Sequence, residues 1–84
     1  MKNLQEVKNF YLYEFKLFDG ENDITFNIID IDTDKMLITL AITNLGKIST
    51  LTYDLQQDKD GNLFFAYGVE NSKIELDSFE KIED

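Results

Sequence analysis

The sequence predicts a mainly β protein, with an α+β class as the alternative, built from a single antiparallel sheet of five to six strands. The sheet is expected to be curved or to form a small open barrel, with short terminal helices. Three observations predict this class: apolar residues alternate with polar ones, β-branched and aromatic residues are abundant, and turn residues recur about every 11–14 positions. The 84 residues are expected to form a single domain over residues 1–84.

The clearest local pattern is a β-hairpin over residues 36–55. Apolar side chains occupy every second position of both arms, which places them on one face of a pleated strand. The turn is expected at Asn44–Lys47, with Gly46 in the left-handed conformation. The predicted core comprises Tyr11, Phe15, Ile38, Leu40, Leu51, Tyr53, Phe65 and Tyr67.

The segments before the hairpin are less regular. Leu4 and Val7 have helical spacing, and residues 10–18 favour an aromatic strand, although one long helix also fits these positions. A turn is expected over residues 19–23 and a strand over residues 24–32. The apolar residues of that strand change parity partway along it, which indicates either a β-bulge or a strand buried on both faces.

Further turns are expected at 33–35, 56–62 and 71–72. Strands are expected over 63–69 and 73–76, and a D-x-x-E capping pattern predicts a terminal helix over 77–83. Both faces of the sheet then carry apolar residues, so we expect terminal helices to cover the second face, with an exposed apolar patch as the alternative. The residues expected to provide that cover are Leu4, Val7, Phe79 and Ile82.

Charge is the strongest compositional signal. Seventeen Asp and Glu residues against eight Lys give a formal net charge of −9, and Arg is absent. Such a chain repels nucleic acids and anionic membranes, so neither is expected as a direct partner. The charge indicates either solubility alone or a partner with a basic surface. Because the chain has no Cys, no membrane-length apolar stretch and no signal-peptide pattern, we expect a cytoplasmic protein.

The composition argues against catalysis and against bound cofactors. His and Cys are absent, so serines have no histidine base and a thiol nucleophile is excluded. Asp30 and Asp32 are candidates for a catalytic carboxylate pair only because carboxylates are plentiful. Three runs of alternating acidic residues do not match the calcium loop, which requires Gly at its sixth and Glu at its twelfth position. We therefore expect no enzymatic activity, no cofactor and no metal site.

The candidate sites are surfaces that contact another protein. The electrostatic candidate comprises Asp19, Glu21, Asp23, Asp30, Asp32, Asp34, Asp58 and Asp60. The apolar alternative comprises Phe10, Leu12, Phe18, Ile48 and Phe64. A single row of aspartates along a strand has a spacing of about 6.7 Å, against one charge per about 1.7 Å of DNA axis, so one row alone is too sparse to mimic a duplex.

Small acidic proteins with lysine as their only base, rich in Asn, Ile and Phe, are common in low-GC bacteria and their phages. These proteins include inhibitors of host defence and immunity proteins for toxins. By this association we expect a non-enzymatic anti-defence inhibitor that occludes a basic, nucleic-acid-binding surface of a partner, such as a nucleic-acid enzyme. An immunity protein that neutralises a toxic enzyme and a homo-oligomeric structural or assembly protein are the alternatives, and a homodimer is compatible with each.

Overall fold

The computed structural model describes residues 13–82, and these residues form antiparallel strands joined by short turns. The strands are β1 (Tyr13–Phe18), β2 (Asp23–Asp32), β3 (Leu37–Asn44), β4 (Lys47–Asp54), β5 (Gln56–Gln57), β6 (Leu63–Tyr67), β7 (Ser72–Glu75) and β8 (Glu80–Lys81), with a 3₁₀ helix at Leu76–Ser78 between the last two. The predicted mainly β, antiparallel class is confirmed. The predicted segments 2–9 and 10–12 lie outside the described residues. Within the described part, no helix is long and apolar enough to cross a membrane.

The strands divide into two sheets, where the sequence led us to expect one. The five-stranded sheet has the order β4-β3-β2-β1-β8, and the three-stranded sheet has the order β5-β6-β7. The chain leaves the first sheet at Leu55, whose N–H donates to the carbonyl of Met36 at 2.8 Å. The Leu55 side chain is buried in the core that the two sheets share. Leu55 therefore marks the point at which the chain passes from the first sheet to the second.

The predicted hairpin is confirmed as β3 and β4, which pair from Leu37 with Asp54 to Asn44 with Lys47. Its turn consists of Leu45 and Gly46, with φ angles of 54° and 76°. Two successive positive φ angles are typical of the type I′ turn, whose twist matches that of the flanking strands. Gly46 adopts the left-handed conformation as predicted. Leu45 adopts it as well, although this conformation costs a side chain with a Cβ about 1–2 kcal/mol.

The parity change in β2 is a β-bulge. The register between β2 and β3 shifts between Ile28 and Asp30. Ile29 is 46% exposed, so the strand is not buried on both faces. The bulge turns Ile31 toward the core side, opposite Ile38, and leaves Asp30 and Asp32 on the side away from the core.

The core lies between the two sheets and is formed by one face of each. Its fully buried members are Phe26, Ile28, Ile38, Leu40, Phe65 and Phe79. Of the predicted core residues, Ile38, Leu40 and Phe65 are buried, and Phe15, Tyr53 and Tyr67 pack against them partly buried. The prediction is wrong for Leu51, which is 45% exposed because it lines an open cleft where β4 extends past the cover of the second sheet. Tyr11 lies outside the described residues.

The C-terminal segment corrects two predictions. The helix predicted over 77–83 is absent from its described part: after the 3₁₀ turn, Glu80 and Lys81 pair with β1. Phe79 is buried in the inter-sheet core, so it does not cover the second face, and its burial holds the chain extended. The strand predicted over 63–69 ends at Tyr67, because Gly68 has a φ of 75° and begins a turn that leaves Val69 fully exposed.

Candidate protein-interaction face

The five-stranded sheet has a second face, which points away from the core and which we call the outer face. Side chains alternate along each strand, so residues paired with an outer-face residue also lie on that face. The register gives five rows on this face. The rows are Phe18–Asp23, Lys16–Thr25–Thr43–Ile48, Glu80–Glu14–Asn27–Ala41–Thr50, Asp30–Thr39–Thr52 and Asp32–Leu37–Asp54.

The centre of the outer face is uncharged and mostly polar. Its side chains are small: Thr25, Asn27, Thr39, Ala41, Thr43, Thr50 and Thr52. The hydroxyls of Thr39 and Thr52 are 3.0 Å apart and form a hydrogen bond across β3 and β4. The packing between sheets that the structure describes involves the opposite face. The described residues therefore leave this centre available for contact.

Carboxylates lie at both ends of this centre and along its β1–β8 side, and they form what we call the acidic rim. The rim comprises Glu14, Asp23, Asp30, Asp32, Asp54 and Glu80. Among residues 13–82, Lys16 is the lysine that alternation places on the same face. Asp32 and Asp54 flank Leu37 from neighbouring strands, roughly 10 Å apart at two strand spacings. The outer face thus has a strong excess of negative charge.

Two rim residues are directly opposed in a way that does not favour stability. Glu14 pairs with Glu80 across β1 and β8, and like charges in this position are destabilising. Lys16 offsets this repulsion weakly, since its Nζ is 4.0 Å from Glu14 Oε1 and both side chains are accessible to solvent. The pair therefore has no stabilising role among the described contacts.

The structure separates the predicted acidic residues into groups. Asp23, Asp30 and Asp32 lie on the outer face. The remaining five lie in turns: Asp19 and Glu21 between β1 and β2, Asp34 between β2 and β3, and Asp58 and Asp60 between β5 and β6. The eight residues therefore do not form one surface. Sequence reasoning missed Glu14, Asp54 and Glu80. Strand alternation gave a usable signal for Asp54, which follows Thr50 and Thr52 at every second position.

Three of the predicted carboxylates stabilise turns. Asp19 Oδ1 accepts hydrogen bonds from the N–H groups of Asn22 and Glu21 at 2.8 and 2.9 Å. Asp32 Oδ1 accepts two from the following turn, both at 3.0 Å. Asp58 Oδ1 accepts from Asn62 at 2.9 Å and from Asp60 at 3.0 Å. These are Asx turns, so a role in local structure accounts for the presence of aspartate at the three positions. Asp32 is the one of the three that is also on the acidic rim.

These hydrogen bonds also change acidities. The N–H groups of Asn22 and Glu21 lower the pKa of Asp19 below its usual value. The N–H of Asn62, together with that of Asp60 and the ammonium group of Lys73, lowers the pKa of Asp58. Lys73 Nζ is 3.4 Å from Asp58 Oδ2 and 3.4 Å from Glu75 Oε1. Asp58 therefore belongs to a local network in the three-stranded sheet.

The predicted apolar residues do not form one patch. Phe18 and Ile48 are 64% and 72% exposed, but they lie on β1 and β4, roughly 14 Å apart at three strand spacings. Phe64 lies on the other sheet, where the ammonium group of Lys73 is 4.6 Å from the centre of its ring. Phe10 and Leu12 lie outside the described residues. An apolar contact made of these five residues is therefore not supported by the positions of the three that are described.

One end of the sandwich is open between the sheets. Two clefts of about 460 and 340 Å³ meet there, and Asn44 and Tyr67 line both of them. Asn44 Oδ1 is buried without a hydrogen-bond partner among the described residues. The clefts are shallow and contain none of the His or Cys groups that would suggest chemistry. They are compatible with a contact surface at the end of the sheet.

No three carboxylates among residues 13–82 converge closely enough to hold a metal ion. Comparison with protein-family models, with curated proteins and with solved structures finds no match to this chain. The outer face and its charges are therefore the features of this chain that indicate a function.

Proposed function

We propose that this chain is a non-enzymatic cytoplasmic protein that binds a basic, nucleic-acid-binding surface of a partner protein and occludes it, as an anti-defence inhibitor does. The observation that carries this proposal is the outer face, where six carboxylates border an uncharged centre of small side chains. Lys16 is the lysine that the described residues place on that face. Small side chains let the centre of this face approach another surface closely, while its rim offers charges to basic side chains.

The spacing of the rim carboxylates favours a match to a basic surface in overall charge. It does not reproduce the spacing of phosphates along DNA. Asp30 and Asp32 are about 6.7 Å apart along β2, Asp32 and Asp54 are roughly 10 Å apart, and Glu14 and Glu80 are roughly one strand spacing apart, whereas duplex DNA has one charge per about 1.7 Å of axis. The rim is therefore sparser than a duplex, even with Glu14, Asp54 and Glu80 added to the predicted aspartates. A partner surface with several spaced Lys or Arg residues would complement it.

The net charge of −9 supports the same proposal through association kinetics. Complementary charge accelerates encounter with a basic surface, and salt reduces that acceleration. The same charge disfavours direct binding of the chain to nucleic acid. A protein of this kind competes with nucleic acid for a partner and does not itself join the complex with nucleic acid.

The test is affinity capture with three baits: the unmodified protein, a rim variant and a matched control. The rim variant carries Asp30→Asn, Asp32→Asn and Asp54→Asn, and Asn at position 32 retains an oxygen that accepts the turn hydrogen bonds. The control carries Glu21→Gln, Asp60→Asn and Glu70→Gln, which neutralise three charges in turns away from the outer face.

The proposal predicts that the unmodified protein and the control capture the same partner, and that the rim variant loses it. Added duplex DNA should displace the partner from the bait, because both bind the same basic surface. Capture that is equal for the rim variant and the control would contradict the proposal. Capture of a partner that binds DNA and this chain simultaneously would contradict the occlusion mechanism.

A further inference from the structure

The described edge strands of the two sheets differ in their protection against pairing with another strand. β5 and β8 have two residues each, and β7 has four residues that include Lys73 and Glu75. Short length and charge are the usual devices that protect sheet edges from intermolecular pairing. The edge strand β4 has neither device. It is eight residues long, and its charges are confined to its ends at Lys47 and Asp54.

The backbone of β4 presents hydrogen-bonding groups on its free side. Leu55 N–H donates to Met36 across the β3–β4 pair, and the pair closes in a two-residue turn at Asn44 and Lys47. Hydrogen-bonded pairs alternate with non-hydrogen-bonded ones along an antiparallel ladder. The odd-numbered residues of β4 therefore bond to β3. The even-numbered residues from Ile48 to Asp54 point their N–H and C=O groups toward the free edge.

Two apolar side chains of β4 are also exposed to solvent. Leu51 points toward the core side but is 45% exposed, because the three-stranded sheet does not cover it. On the outer face, Ile48 is 72% exposed. A long, unprotected edge that also carries exposed apolar side chains is a site for β-strand addition.

We propose that β4 pairs antiparallel with β4 of a second copy of this chain, about a two-fold axis at Leu51. In this register Leu51 faces Leu51 of the second copy as a non-hydrogen-bonded pair, and each covers the exposed side of the other. Thr50 pairs with Thr52, and Ile48 pairs with Asp54, through the backbone groups that face the edge. Every residue from Ile48 to Asp54 then has a partner.

A second copy is the occupant that fits this edge best, because the strand is complementary to itself. Within Ile48–Asp54, antiparallel pairing sets no like charges opposite one another, and it brings the two exposed Leu51 side chains together on the core side of the sheet. Residues on one side of the sheet remain on that side, as a two-fold axis perpendicular to the sheet requires. Pairing shifted by one residue in each copy places Thr50 on the axis and leaves Leu51 opposite Ser49, so the two exposed Leu51 side chains no longer cover one another.

The dimer does not depend on the proposed function, although it bears on it. The two outer faces would lie side by side on one continuous sheet, and the acidic rims of both copies would face the same direction. Because each copy carries a net charge of −9, the copies repel one another at low salt. Salt should therefore strengthen the dimer, whereas it should weaken binding to a basic partner.

The first test is disulfide cross-linking, for which a chain without Cys provides a clean background. A non-hydrogen-bonded cross-strand pair has Cα atoms about 4.5 Å apart, within the range of a disulfide. Under mild oxidation, Leu51→Cys should give on the order of tenfold more covalent dimer than Gln56→Cys, a control on the exposed edge β5. Equal yields from the two variants, or a higher yield from Thr50→Cys than from Leu51→Cys, would overturn the proposal.

The second test measures mass by sedimentation equilibrium over a range of protein and salt concentrations. The unmodified chain should shift from monomer to dimer with concentration, and more so at high salt. Thr50→Lys, which introduces a charge into the middle of β4, should remain monomeric, while Gln56→Lys should dimerise normally. A monomeric unmodified chain at every concentration, or an unchanged dimer in Thr50→Lys, would overturn the proposal.

Discussion

The two faces of the five-stranded sheet are built from the same strands but differ in burial and in the residue types they carry. On the inner face, Phe26, Ile28 and Leu40 are fully buried against the second sheet. On the outer face, alternate residues of the same strands are small and polar in the centre and acidic at the rim. The inner face accounts for folding. The rim charges do not contribute to packing, which is why they carry the functional proposal.

The largest difference between the faces should appear when one residue is truncated on each. Leu40→Ala removes a fully buried side chain and should lower the free energy of unfolding by about 2–5 kcal/mol. That is a large fraction of the total for a small domain, which is roughly 5–15 kcal/mol. Thr39→Ala, its neighbour on the outer face, loses only the hydrogen bond to Thr52 and should cost about 1 kcal/mol or less.

Denaturant unfolding of the two variants measures this difference. A loss below about 1 kcal/mol for Leu40→Ala would show that the inner face has been assigned to the wrong parity of β3. Equal losses for the two variants would show that a layer covers the outer face as well.

A smaller effect is expected at the turn that joins β3 and β4. Leu45 is exposed and has a φ of 54°, so its side chain contributes strain without burial. Leu45→Asn should raise the free energy of unfolding by about 0.5–1 kcal/mol, because Asn adopts positive φ more readily. Leu45→Ala is the matched control, since it removes the apolar side chain but keeps the strain. A gain from Ala equal to that from Asn would contradict the strain explanation.

The smallest effect distinguishes turn carboxylates from rim carboxylates. Backbone N–H groups lower the pKa of Asp58 in the folded state below its usual value of 3.8. Its negative charge therefore stabilises the fold at pH values above this usual pKa. That contribution is lost as the pH falls through the lowered pKa. Asp58→Ala should therefore reduce the Tm at pH 7, and the difference from the unmodified protein should narrow in acid.

Asp60→Ala is the control for Asp58→Ala, because it removes a charge from the same turn without removing a turn acceptor. Its Tm at pH 7 should be unchanged or slightly higher, since like-charge repulsion is relieved. If the difference in Tm between Asp58→Ala and the unmodified protein stays the same from pH 7 into acid, the result would contradict a stabilising contribution from the Asp58 charge.

Local patterns predicted most of the strands and only part of the candidate site. Alternation located the hairpin and its turn, and the parity change located the bulge, because both are set by neighbouring residues. The second sheet was not predictable, because it depends on the packing of Leu55 and later residues into a core formed by parts of the chain that are distant in sequence. Strand β8 was not predictable either, because pairing with β1 takes the place of the helix that the capping pattern predicted.

The acidic residues illustrate the same limit. Their number was evident from composition, but their grouping depends on strand register. Asp58 has the same residue type as Asp30, yet one stabilises a turn and the other lies on an exposed face. Glu80 joined the rim only through a two-residue strand.

The central claim, that the acidic rim guides binding to a basic surface, is tested most directly by association kinetics. The measurement compares the association rate of the captured partner at low and high salt for the unmodified protein, the rim variant and the matched control. The rim variant should associate more slowly, with a flatter salt dependence and no loss of folding stability. A rate and salt dependence that are the same in the rim variant as in the control would contradict the claim.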